Sequence, residues 1–161
     1  MKEWLKGLKE HRLLGDGAFG TYYSGLEGGS ARIPEWDNLR RPDKVEQVHR
    51  AYMEAGARFL RTNTFAANTR RLECGLREAG QAAAAGYRIA RSTAAAYMRE
   101  HTEETAEHGP ILTAADIGPI PMDIHQTAEH VIEEYRYICD SFLSEGAGLF
   151  MFETFADLKY I

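Results

Sequence analysis

The residues able to do chemistry stand at the ends of short apolar runs. Asp16 with Gly17 follows Leu13-Leu14-Gly15, Thr62-Asn63-Thr64 follows Phe59-Leu60-Arg61, Asp116 lies in Ile111–Ile117, and Glu153-Thr154 follows Leu149–Phe152. Strands buried on both faces of a parallel sheet are apolar throughout, so carboxylates and amides gathered at one rim imply a binding mouth. In α/β architectures the functional groups collect at the carboxyl ends of the strands. Asp16 and Glu153 could also act as an acid/base pair, although no nucleophile or phosphate loop accompanies them.

Gly15-Asp16-Gly17-Ala18-Phe19-Gly20 matches the spacing of a dinucleotide fingerprint after a strand. That motif must open a helix whose N-terminus holds the pyrophosphate. Gly25, Gly28, Gly29 and Pro34 argue against a helix there, and Asp16 sets a carboxylate where a diphosphate would approach.

Metal chemistry finds little support. Cys74 and Cys139 are far apart and outside any C-x-x-C pair. Both fall on expected helices as small buried hydrophobes. Of the histidines, His101 and His108 sit in an acidic stretch, His125 and His130 miss the i, i+4 spacing of a shared helix face, and His49 follows Val48 in a long helix, with the sheet or loops within its reach. Solvated surface positions explain them as a group.

The elements that must position these groups read as βα units. Apolar runs near residues 12–16, 59–65, 111–117 and 148–155 predict four strands. Helices are predicted from Pro42 to Gly56, from Asn68 through Leu72 and Leu76 to a break at Gly80, from Gln81 to Glu100, and from Thr127 to Glu145. The segment from Asp16 to Leu39 reads as a Gly-rich loop, His101 to Gly109 as a surface loop or frayed helix end, and residues 156–161 as the first turn of another helix. Four units imply a parallel sheet covered by helices, either complete as an open sheet or the first half of a (β/α)8 barrel. The unfinished last helix favours the half barrel.

The chain has 161 residues, 44% hydrophobic and 27% charged, with 19 Lys plus Arg against 24 Asp plus Glu, for a net charge of −5. This is a globular composition. Without a basic block, the chain is a poor ligand for nucleic acid or an anionic membrane surface. No signal peptide or membrane span is apparent, and the sparse cysteines fit a reducing, cytoplasmic setting.

Five ordered blocks then carry a resemblance: Leu14–Thr21, Asn38-Leu39 with Val48–Ala57, Thr62–Asn68, Asp116–Pro119 and Phe152–Phe155. Together the sequence resembles the homocysteine S-methyltransferase family. The resemblance implies a (β/α)8 TIM barrel, of which residues 1–161 are the N-terminal half, in an enzyme that methylates the sulfur of homocysteine to give methionine. It implies a zinc ion on cysteine thiolates that binds the substrate as a thiolate, and a methylfolate, sulfonium or betaine donor, with cobalamin in some members. The family's zinc cysteines lie in the second half of the barrel, beyond this chain, so this chain alone is expected to lack activity. The implied substrate-binding residues are Asp16, Gly17, Asn63, Thr64 and Glu153. Asp16 and Glu153 would hold the α-ammonium, which needs charge-assisted acceptors. Plainer roles compete: Asp16 as a turn cap, Glu153 as the partner of an arginine such as Arg61, Asn63 as a loop support. A different expectation is a non-catalytic half barrel that self-associates or pairs with a second chain through its open edges.

Overall fold

A computed structural model describes residues 13–26, 33–122 and 127–156. Its centre is a parallel sheet of β1 (Phe59–Arg61), β2 (Leu112–Ile117) and β3 (Phe150–Phe152), in that spatial order. Phe59 is in register with Leu112, and Ala115 with Phe150. The first expected strand is reduced, in its described part, to one parallel bridge between Gly15 and Phe59. Arg58 N and Phe59 N donate to Leu14 O, and Asp16 N donates to Phe59 O. The chain therefore enters the sheet beside β1 and turns away at once, so three strands and a bridge stand where four strands were expected.

That departure forms α1 (Phe19–Gly25), where the sequence pattern argued against a helix. The glycines and proline that argued against it begin only at its last residue. Phe19 and Tyr23, one turn apart, stack with ring centroids 6.0 Å apart. Tyr23 is fully buried and its hydroxyl donates to Asp37 Oδ2 at 2.5 Å. Tertiary packing thus stabilises a seven-residue helix that propensity alone would not.

A 3-10 turn over Pro34–Trp36 leads into α2 (Asp37–Arg40) and then α3 (Pro42–Glu54), which Pro42 opens as expected. Val45, Val48, His49 and Met53 form the buried face of α3. Gly56, at φ +95°, turns the chain into β1. Asn68 caps α4 (Thr69–Leu72) by accepting from Arg71 N at 2.9 Å.

The next helix corrects a second expectation. α5 runs unbroken from Leu76 to Glu100 through Gly80, and the interruption falls earlier, where Glu73 takes a left-handed φ of 52°. Gly80 is a packing residue: a Cβ there would lie 2.6 Å from Tyr137 Cε1 and 2.7 Å from Ser141 Oγ, both on a later helix. The roughly 1 kcal/mol that glycine costs inside a helix is offset by that close approach. An Ala-rich face of α5 is buried, at Ala79, Ala82, Ala83, Ala85, Ala90 and Ala94.

The acidic stretch forms a short helix, α6 (Thr102–His108), with no buried residue. Thr127 and His130 form a capping box at the start of α7 (Ala128–Ser144). One face of α7 buries Val131, Tyr135, Ile138 and Phe142 against Ala83, Tyr87, Ala115 and Ile117, whereas Leu143 is exposed. α5 packs against α3, α7 and β2 and so links the successive units. Residues 157–161 of the expected last turn, and His11 and His125, lie outside the described residues.

Candidate functional site

Parallel strands in sequential order deliver their carboxyl ends to one rim. There a cleft of about 670 Å³ is lined by Asp16, Gly17, Arg61, Asn63, Thr64, Asp116 and Glu153, with Glu35 and Thr154 among its other walls. The substrate-binding residues implied from sequence, Asp16, Gly17, Asn63, Thr64 and Glu153, therefore line one cavity.

Its centre is Arg61, the last residue of β1. A lone arginine in a parallel strand demands partners, because a buried unpaired charge is costly. Arg61 finds them on both sides. Its backbone N and Nε donate to Asp16 Oδ2 and Oδ1, each at 2.9 Å, and its Nη1 donates to Glu153 Oε2 at 2.7 Å. Its Nη2 donates to the carbonyl of Gly17 at 2.9 Å. The Gly-rich loop thus turns carbonyls toward a cation, which is the opposite of a phosphate cradle.

Burial raises the pKa of Asp16, and the hydrogen bonds from Arg61 recover only part of that shift. Burial likewise opposes the charge on Arg61, but Asp16 and Glu153 outweigh it and lift its pKa above the usual arginine value. Asp116 is the third carboxylate. It is 4% exposed and its Oδ1 has no hydrogen-bond partner. Burial, followed by the charge of Glu153, pushes it up to about 8. Three carboxylates surround one guanidinium, so the cluster is short of positive charge.

The amide and hydroxyl residues build the wall. Asn63 Nδ2 donates to Pro34 O at 2.8 Å and to Asn38 Oδ1 at 2.9 Å. Thr64 Oγ1 donates to Asp116 O at 2.7 Å, and Thr62 Oγ1 accepts from Asp116 N at 2.9 Å, which ties the end of β1 to β2. Gly86 of α5 makes room beneath them, since a Cβ there would meet Asn38 Nδ2 and Thr64 Cγ2 at 2.6 Å. Gly17 has a comparable reason: its Cβ would lie 2.9 Å from the Tyr52 hydroxyl, which donates to Ala18 O. At the far wall Thr154 holds a φ of 66°, unusual for a branched residue.

Sequence reading missed Glu35, whose Oε1 accepts from Ala66 N at 2.8 Å while Oε2 has no partner. Nothing in the local pattern marks a carboxylate beside Pro34 as buried. For His49 it offered contact with the sheet or loops beside a general surface reading of the histidines, and the surface reading fails there. His49 is fully buried, its ring 5.2 Å from Phe19, with neither nitrogen bonded, and burial lowers its pKa to about 4.

Zinc bound through thiolates does not fit the described residues. Cys74 lies beside Leu72, Ala79 and Trp36, and Cys139 packs against the core below α7, so neither lines the cleft. Burial raises both thiols, which disfavours the thiolate form that zinc requires. No group of three or more His, Cys, Asp or Glu side chains is placed to hold a metal ion among the described residues. Nor is any described helix long and apolar enough to cross a membrane.

The family model for homocysteine S-methyltransferase matches residues 13–161. Methionine synthase of Mycobacterium leprae (strain TN) is 39% identical over 74 residues, which cover 40% of this chain and 6% of that protein. Methionine synthase of Mycobacterium tuberculosis (strain ATCC 25618 / H37Rv) is 39% identical over 71 residues, covering 38% and 6%. The crystal structure of the homocysteine methyltransferase MmuM from Escherichia coli in its metallated form aligns with a TM-score of 0.73 at 21% identity, over 91% of this chain and 55% of that one. The oxidized form aligns at 0.72 and 22%, over 92% and 56%. The chain thus spans little more than half of the similar structures and a small part of the methionine synthases, and at these identities the structural likeness concerns the fold.

Proposed function

Because the chain belongs to the homocysteine S-methyltransferase family, we propose that its cleft is the amino-acid-binding part of a homocysteine site. The whole enzyme would transfer a methyl group from a methylfolate, sulfonium or betaine donor, with or without cobalamin, to the homocysteine sulfur to give methionine. Residues 1–161 then make up the first four βα units of a (β/α)8 barrel, working in the cytoplasm without nucleic acid or membrane as a partner.

The charge balance of the cleft carries this reading. The cleft walls carry five carboxylates, Asp16, Glu35, Glu73, Asp116 and Glu153, against three arginines, Arg61, Arg70 and Arg71, and at the centre Asp16, Asp116 and Glu153 outnumber Arg61, so the ammonium of an amino acid supplies positive charge that the site lacks. Arg61 holds Asp16 and Glu153 in fixed positions, Gly17 forms the near wall, and Asn63 and Thr64 keep the rim rigid. The zinc that generates the substrate thiolate in this family has no thiolate ligands among these residues, so no step of methyl transfer is assigned to them.

Titration with L-homocysteine, followed by amide chemical shifts, tests the reading. Saturable shifts are expected at Asp16, Gly17, Asn63, Thr64, Asp116 and Glu153, unchanged by added zinc. An unperturbed spectrum at millimolar ligand refutes the site. Zinc-dependent methionine formation by the 161-residue chain itself would overturn the division of labour proposed for it.

A second reading rests on Leu14, 59% exposed beside the Gly15 bridge, and Phe152, 38% exposed on β3. Apolar side chains at opposite edges of a parallel sheet favour self-association or pairing with a second chain. A stable monomer by size exclusion with light scattering counts against it.

A further inference from the structure

The three carboxylates of the cleft are not equivalent. Both oxygens of Asp16 are taken by Arg61, one through the backbone N and one through Nε, and Glu153 Oε2 is taken by Nη1. The Asp116 carboxyl shares a side-chain hydrogen bond with Glu153, yet its buried Oδ1 receives no donor; Glu35 Oε2, outside the cluster, is another cleft oxygen in that condition. A buried acceptor left without a donor is costly, and one that faces a cavity is completed by whatever enters it.

The geometry points to Asp116 as the residue that receives the ammonium group of the bound amino acid, while Asp16 and Glu153 act through Arg61 and through their charge. This rests on the amino-acid reading of the cleft and adds a direct contact to it. The backbone supports such a role. Asp116 N and O are both held by the Thr62 and Thr64 hydroxyls, which fixes the residue at the rim independently of its carboxyl group.

The charged groups facing Asp116 are Glu153 beyond β3, Arg61 from β1 and Asp16 beside the sheet. In the empty cleft near neutral pH, burial and Glu153 keep a proton on Asp116. An arriving ammonium favours the carboxylate, so that proton leaves to solvent. Ammonium binding is then linked to the release of one proton, and affinity rises with pH up to about 8 and flattens above it.

The test compares L-homocysteine with its deamino analogue, a mercaptobutanoate, on the full chain. The wild type is expected to prefer homocysteine by about 10- to 100-fold, the range of a hydrogen bond to a charged group. In Asp116→Asn that preference collapses toward one, while affinity for the analogue is unchanged. A preference retained in Asp116→Asn overturns the assignment and leaves the amino-acid site standing. Equal binding of both ligands by the wild type also overturns it. A wild type that binds neither ligand removes the site and the assignment together. Independently of any variant, titrations in buffers of different ionisation enthalpy should show proton release with homocysteine and none with the analogue, and a proton count of zero for both refutes the assignment.

Discussion

Replacing Arg61 with Met tests whether one guanidinium holds the rim together. The substitution keeps much of the side-chain length and removes the ion pairs at 2.9 Å to Asp16 and 2.7 Å to Glu153. It leaves the Asp16 side chain, 2% exposed, without its cation. Breaking a buried pair by removing one partner costs about 3–5 kcal/mol. The Arg61 and Glu153 side chains are 25% and 20% exposed, so water relieves part of that penalty and the low end, about 3 kcal/mol, applies. For a domain of this size that corresponds to a fall in Tm of roughly 6–12 °C. The loss depends on pH in a definite direction. Burial already raises the pKa of Asp16, and the hydrogen bonds from Arg61 are what oppose that rise; without them the folded-state pKa of Asp16 climbs further, and a raised folded pKa contributes stability that is lost as pH rises through it. Urea denaturation should therefore show a gap between variant and wild type that is wide at neutral pH and narrows toward acid, where Asp16 is protonated. Arg61→Lys, which keeps the charge but not the fork, should fall between the two. A gap that is absent at neutral pH, or that does not narrow in acid, refutes the reasoning.

His49 should dominate acid sensitivity in the region under α1. Its folded pKa of about 4 lies below the unfolded value of 6.5, so its contribution is complete above 6.5 and is lost as pH falls toward 4, by about 3 kcal/mol in all. His49→Leu should flatten that part of the stability profile, and an unchanged slope in denaturation from pH 7 to about pH 4 would count against it. Gly118→Ala should destabilise by about 1–3 kcal/mol, because its Cβ would sit 2.5 Å from the backbone oxygen of Phe65, which has little room to yield. A melting temperature equal to wild type contradicts that. Glu134→Ala should cost about 1–3 kcal/mol, since it strands Thr69 N and Oγ1, which donate to Glu134 at 2.6 and 2.9 Å. Urea midpoints report the loss, and faster amide exchange at Thr69 locates it.

Local pattern determined a good deal of this protein. Alternating apolar runs and amphipathic stretches set the order of strands and helices. Pro42, Asn68 and Thr127 mark helix starts by chemistry that acts within four residues, and the rim positions of Asp16, Asn63, Asp116 and Glu153 follow from where the apolar runs stop. The tertiary structure decided the rest, because the remaining interactions join residues distant in sequence. Arg61 meets Asp16 across 45 positions and Glu153 across 92; its pairing with Glu153 is among the roles weighed from sequence, but its simultaneous hold on Asp16 joins segments that no window along the chain contains. Gly80 punctuates a helix in local terms, yet it is kept inside one by the approach of Tyr137 and Ser141. α1 exists because Tyr23 reaches Asp37, and His49 is buried because Phe19 closes over it. Asp116 makes the same point at the cleft: its residue type and strand are plain from sequence, but the burial of an oxygen without a donor, beside an Arg61 bonded to Asp16 and Glu153, arises only in the folded chain.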